Sequence, residues 1–177
     1  MVDYVPQEAS TRMSVDAESL KQTMRRWASG VTIVTSSDGQ ERAGVTASSF
    51  TSISVDPPLI LLSLQSFTPT LKMIEKTGIF AVSILTTKQA NLSIQFAGFA
   101  KLPEGADKFY QVDLKMAVTG APIIAEAASW MDCKLASVYE AGLSRIVVGE
   151  VLATGQGEDV LPLVYLNRGY YDLIKRE

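Results

Sequence analysis

Between Gly44 and Leu64 the chain reads GVTASSFTSISVDPPLILLSL. Thr46, Ser48, Ser49, Thr51, Ser52 and Ser54 crowd ahead of an apolar run. A solvated loop does not need so many β-formers, and a core strand does not want so many hydroxyls. Hydroxyls beside exposed backbone amides suit hydrogen bonds to a heteroaromatic edge, a sugar-alcohol chain or a phosphate. A Ser/Thr-rich strand with one solvated face accounts for the same pattern, because Thr favours sheets. Thr68-Pro69-Thr70 then places two hydroxyls at a predicted helix start, where free N–H groups and the helix dipole favour an anion; ordinary N-capping also explains them. Ser63 and Ser83 each interrupt an apolar strand. A buried hydroxyl without a partner costs about 1–3 kcal/mol, so each calls for a ligand or a backbone group.

What is missing narrows the chemistry. The chain has no histidine, which excludes a Ser-His-Asp triad, a Cys-His pair and a His-ligated zinc. The chemistry is therefore done without imidazole or is carried by a cofactor. No Gly-x-Gly-x-x-Gly or Walker loop occurs, and no carboxylate pair or metal spacing stands out. Cys133 is the single cysteine, so no intrachain disulfide forms. Its place in MDCKLAS puts it on one face with Met131 and Leu135, as a small core hydrophobe. A net charge of −3 gives no electrostatic footprint for nucleic acid or an anionic membrane. No apolar run reaches the roughly 20 residues of a membrane span, and MVDYVPQEAS lacks a secretory h-region. The expectation is a cytoplasmic protein that binds neither nucleic acid nor membrane.

The elements that must position these residues follow from the pattern. Residues 1–13 read as a flexible arm and 14–177 as one domain. SVDAESLKQTMRRWAS (14–29) predicts a helix capped by Ser14 and stopped by Gly30, with Ala17, Leu20, Met24, Trp27 and Ala28 sharing one face. VTIVTS, the Asp38-Gly39 turn and ERAGVTASSF predict a hairpin. SISVDPP carries the chain round, and LILLSL (59–64), apolar on both faces, predicts a buried strand. Thr68, Pro69 and Gly78 bound a helix. IFAVSIL (79–85) is a strand. Thr86 and Gln89 have capping-box spacing before a third helix closed by Gly98. A loop over 99–113 carries ADKFY. β-like segments then occupy 122–124, 129–140, 144–154 and 162–173. Short helices within a strand-rich chain favour a mainly antiparallel sheet closed into a barrel over a doubly wound fold.

The order of these segments is specific. SGVTIVTSSDG is followed by the hydroxyl-rich block, TPT, GIFAVSIL, QFAG, DKF, GAPII, DCKLASVYEAG, IVVGEV and PLVYLNRGYY. From about Ser14 to Asp172 the chain resembles the flavin reductases built on the FMN-binding split barrel, the small reductase components of two-component flavin monooxygenases. The resemblance implies a mainly β, antiparallel, Greek-key-like split barrel, a homodimer, FMN or FAD bound, NADH or NADPH as electron donor, and a flavin-dependent monooxygenase as transient partner. By position it implies that Thr46, Ala47, Ser48 and Ser49 line the isoalloxazine and ribityl region. Ser63, Leu64 and Gln65 follow along the flavin, and Thr68 and Thr70 lie near the phosphate. Ser83 stands where the family often has Asn, and Phe96 and Ala97 lie near the cofactor. The chain departs from the family where a Gly-Asp-His step is common: Gly142-Leu143-Ser144-Arg145 replaces it, and Gln65-Ser66 replaces an Asp-Arg pair. Ser144 and Arg145 thus fall on the nicotinamide side, with Arg145 a candidate cation for a dinucleotide phosphate. Two alternatives stay open: a flavin-binding protein that takes no nicotinamide donor, and a barrel that serves only as an interaction module.

Overall fold

A computed structural model of the chain describes residues 15–157 and 161–176. The predicted arm at 1–13 and the predicted cap Ser14 lie outside these residues.

Helix α1 (Ala17–Met24) is capped by Asp16, whose carboxylate accepts from the N–H groups of Glu18 and Ser19. It is shorter than the sequence predicts and ends at Arg25, not Gly30, which lies in the short strand β1 (Ser29–Gly30). The shared apolar face is not covered by the rest of the described chain. Leu20 and Met24 are exposed, and Trp27 is 70% exposed. Helical spacing specifies which residues share a side; it does not supply the surface that covers them.

The hairpin of β2 (Thr32–Ser37) and β3 (Arg42–Ala47) forms as the Asp38-Gly39 turn requires. The Asp38 carboxylate accepts from Gln40 and Glu41 N–H, and Gly39 takes φ 89°, a conformation that suits glycine. Beyond β3 the hydroxyl cluster does not continue as one strand. The chain breaks at Ser48-Ser49, and β4 (Phe50–Ser54) begins on the other side of the molecule's main sheet. β5 (Leu59–Gln65) follows, with Ile60, Leu62 and Leu64 buried and Leu59, Leu61 and Ser63 half-buried. The expectation of burial on both faces therefore holds for one face only.

Helix α2 (Pro69–Thr77) has Thr68 as N-cap and Gly78 at φ 72° as C-cap. β6 (Ile79–Ile84), a 3-10 turn (Thr87–Gln89) within the predicted capping box, and α3 (Ala90–Ala97) come next. Short β7 (Leu114–Lys115) and β8 (Ile123–Ile124) pair with each other. The long hairpin of β9 (Ser129–Ala141) and β10 (Ser144–Gln156) closes the main sheet. The last predicted segment is not one strand but a small hairpin, β11 (Val164–Leu166) and β12 (Gly169–Tyr171), with β1 alongside.

The main sheet has the order β3-β2-β6-β9-β10-β5-β4, and each of its neighbouring pairs is antiparallel. It curls round a core of Val34, Leu62, Leu71, Ile74, Phe80 and Val147. A second core, with Ile33, Leu85, Phe96 and Phe109, lies under α3 on the other face of β2 and β3. Consecutive in sequence, β3 and β4 stand at opposite edges of the sheet. Alternate N–H and C=O groups on an edge strand have no ladder partner. The Ser48-Ser49 link joins these two edges.

Candidate functional site

The alternation of β3 sorts the hydroxyl cluster by face. Ala47 turns into the barrel core, while Thr46 sits opposite Ile33 on the side covered by α3. The Thr46 hydroxyl donates to Ser93 O at 2.6 Å, which ties the edge strand to α3. Ser48 is exposed and forms no side-chain hydrogen bond among the described residues. Ser49 Oγ donates to Ser63 O at 2.7 Å, and Ser63 N–H donates to Ser49 O at 3.1 Å, clasping the link to β5.

Two cavities flank the last turn of α3 where it crosses β3. The first, about 390 Å³, takes Thr46 and Ser48 from the strand end and Ala97 from the helix. Tyr165, Arg168 and Tyr170 of the β11–β12 hairpin also line it, with Phe99. Tyr170 Oη donates to Ser93 Oγ at 2.8 Å, so the hairpin and α3 are joined beside the cavity. The second, about 460 Å³, takes Gly44 and Val45 from β3, Thr68, Pro69 and Thr70 from the start of α2, and Gln95 and Lys108.

At the second cavity the helix start is set up for an anion. Thr68 Oγ1 accepts from Leu71 N–H at 3.4 Å and donates to Gln65 O at 3.0 Å, so its hydroxyl serves the cap. The Thr70 hydroxyl has no hydrogen-bond partner among the described residues, although the residue is buried at the cavity wall. Its N–H lies in the first helical turn, where no intrahelical acceptor exists. Lys108 donates from Nζ to Phe96 O at 2.7 Å, covering the C-terminal end of α3, and burial pushes its ammonium below the usual lysine value. Beside it, Asp107 accepts from Arg42 Nε at 3.1 Å and Nη2 at 3.3 Å, and Arg42 lies 4.5 Å from the centre of the Phe109 ring. Partial burial works against the Asp107 carboxylate, yet the hydrogen bonds from Arg42 and Phe109 N–H and the Arg42 charge hold it below its ordinary value. The ADKFY segment is thus the latch that fixes α3 over β3.

The predicted residues divide accordingly. Thr46, Ser48 and Ala97 meet at one cavity and Thr68 and Thr70 at its neighbour. Ser49 and Ser63 connect β5 to the link, and Gln65 is exposed at the end of β5. Four side chains face elsewhere. Ala47 and Leu64 pack in the barrel core, and Phe96 packs edge-on against Phe109 at 4.9 Å. Ser83, at 0% exposure, accepts from Ile124 N–H at 3.1 Å, so the backbone supplies its partner. Arg145 Nη2 pairs with Glu140 at 2.9 Å, and neither Ser144 nor Arg145 lines either cavity. Ser144 sits opposite Gln65 at the start of β10. The sequence does not mark Phe99, Arg168, Tyr170 and Lys108 as site residues, because only the folded chain brings them to Thr46 or Thr70.

Donor and shape both fit a flavin. A free hydroxyl and a helix N-terminus suit a phosphate, and an open strand edge with a cavity between α3 and the β11–β12 hairpin suits a flat heterocycle. Cys133 is not part of this chemistry: burial, with the charge of Asp132, pushes its thiol up to about 12.

Comparison with known proteins agrees. Residues 24–173 match the model of the flavin reductase like domain. The chain is 37% identical over 161 residues to the reductase component of a Thermus thermophilus 4-hydroxyphenylacetate 3-monooxygenase, covering 89% of this chain and 97% of that protein. It is 34% identical to a Rhizobium meliloti protein named a probable flavin reductase, where it covers 88% of this chain but spans about half (49%) of that relative's length. Among solved structures, an NADH:FAD oxidoreductase of Streptomyces globisporus in complex with NAD and FAD fragments superposes with a TM-score of 0.81 at 29% identity, over 90% of this chain and 93% of that one.

Proposed function

Since the chain belongs to the family of flavin reductase like domains, we propose that it is an NAD(P)H:flavin oxidoreductase that reduces FMN or FAD and passes the reduced flavin to a partner flavin-dependent monooxygenase. The observation that carries this is the placement of Thr46, Ser48 and Ala97 on one cavity and of Thr68 and Thr70 on the next, on either side of α3. That is the layout a ring at one end and a phosphate at the other demand.

When bound, the flavin supplies the ring that accepts hydride from the dinucleotide. The residues of the chain do the rest. The first-turn N–H and the free hydroxyl of Thr70 bind phosphate. The Ser49–Ser63 clasp holds the link between β3 and β4, so its backbone donors keep a fixed direction. The wall of α3, pinned by Lys108 and by the Thr46–Ser93 bond, excludes water from one side. Thr46, Ser48 and the end of α3 would hold the flavin ring in a fixed position, as hydride transfer from a second ring requires; no imidazole would have to move a proton.

The active unit we propose is a homodimer. The outward face of β5, β10 and β9 carries half-buried Leu61 and Ile146 and exposed Tyr139, with exposed Ile53 and Val55 on or after β4. The register places Ile146 opposite Tyr139. An apolar sheet face of this kind is the surface a second copy would cover. No described helix is long and apolar enough to cross a membrane, and a cytoplasmic setting fits a protein fed by NAD(P)H.

Anaerobic mixing with NADH or NADPH against FMN and FAD tests the proposal: the yellow absorbance of the oxidised flavin should bleach with at least one pair. Leu143 and Ser144, standing where the family's Gly-Asp-His step is common, favour the second reading, a flavin-binding protein reduced by another source. Tight flavin binding with no NAD(P)H oxidation would select it.

A further inference from the structure

We propose that Arg168 and Phe99 form the docking rim for the dinucleotide donor, with the guanidinium on its phosphates and the phenyl ring against one of its bases. This rests on the reading that Thr46 and Ser48 border the flavin ring, since both proposed residues line that same cavity.

Arg168 occupies a place that its backbone does not favour. Asn167 at φ 47° and Arg168 at φ 66° form the two-residue turn between β11 and β12. Both central residues are left-handed, the arrangement in which glycine is preferred at the second position. A non-glycine residue held there costs on the order of 1–3 kcal/mol. No carboxylate lies within ion-pair distance of its guanidinium among the described residues, so no internal salt bridge accounts for the arginine. The turn itself is fixed: Asn167 N–H donates to Arg25 O at 3.1 Å, and Tyr170 holds the next strand to Ser93.

Phe99 follows the left-handed Gly98 that ends α3, and it is 83% exposed at the cavity. A phenyl ring left in water at the wall of a cavity is a ready stacking surface. A pyridine dinucleotide carries the two matching features, a doubly charged pyrophosphate and aromatic bases. A guanidinium grips phosphate oxygens through paired N–H groups. Arg145, the cation favoured from sequence, is already paired with Glu140; Arg168 takes over the role assigned to it.

Equilibrium titration of the flavin-loaded protein with NAD+, alongside steady-state kinetics with NADH, tests this. Arg168→Gln should weaken NAD+ binding and raise the NADH half-saturation about tenfold, the scale of one charge-assisted hydrogen bond, and flatten the salt dependence of both. Arg168→Lys should retain most of the affinity, and Phe99→Ala should lose several-fold. FMN and FAD affinities, read by fluorescence quenching, should fall by clearly less than NAD+ affinity in all three, since both residues also border the ring cavity. NAD+ affinity unchanged in Arg168→Gln overturns the proposal, as does a loss of flavin affinity that matches the loss of NAD+. Because NAD+ binding needs no hydride transfer, a protein that binds NAD+ through Arg168 but never bleaches flavin defeats the reductase assignment and leaves this one standing.

Discussion

A single hydroxyl separates two roles at the start of α2. Thr68 is committed to the cap, whereas Thr70 has its hydroxyl free at the cavity wall. Thr70→Val keeps the shape and removes the donor. It should weaken FMN binding by about tenfold or more, as expected for one hydrogen bond to a charged group, and leave riboflavin affinity unchanged, measured by quenching of flavin fluorescence. At Cys133 the prediction is inertness. A buried thiol pushed up to about 12 carries almost no thiolate at neutral pH, so a thiol-specific reagent should label it only after denaturant unfolds the chain. Residue type and spacing single out Thr46, Ser48, Thr68 and Thr70 in the sequence, the family resemblance gives them a role, and the fold brings them to the two neighbouring cavities. Phe99 and Arg168 are not singled out: nothing in GFA or NRG marks a cavity, and only the packing of the β11–β12 hairpin beside α3 makes them neighbours.

At the scale of elements, α3 is where the site is held or lost. A Cβ on Gly44 would stand 2.5 Å from Phe96 Cε1 and 3.1 Å from Phe109 Cζ. Gly44→Ala must therefore move the aromatic pair, and overpacking of this kind costs about 1–3 kcal/mol. Urea denaturation should register that loss, with flavin affinity falling as α3 lifts from β3. The Asp107–Arg42 latch answers to pH. Its carboxylate is held below the ordinary value in the folded chain, so its stabilisation is complete above the unfolded value near 3.8 and drains away as pH falls through the lower, folded one. Asp107→Asn should make acid unfolding in that window less steep. Helix α1 teaches the opposite lesson. Its sequence has the period of a core helix, yet Leu20, Met24 and Trp27 are exposed. Period alone names a face, and the layer that would cover it is not written in the same residues. β5 repeats the point, with Leu59 and Leu61 half-buried in a segment whose composition predicts burial on both faces.

For the whole molecule, antiparallel barrel class follows from hairpin turns and strand content, but the sheet order does not. That β3 and β4 stand at opposite edges depends on β9 and β10 entering between β6 and β5, a long-range choice with no local signature. The outward face of that long hairpin yields the test of assembly. Tyr139→Asp places a charge beside Ile146; on the proposed homodimer, sedimentation should find a dimer for the unmodified chain and a monomer for the variant. The link at Ser48-Ser49 has a mechanical corollary. It works as a clasp across a seam: its two residues are the shortest path between strands that lie at opposite ends of the hydrogen-bonded ladder. A guest seated against it would stiffen both margins at once, so amide exchange at Ala47 and at Phe50 should slow together on loading, although every rung of the sheet separates them.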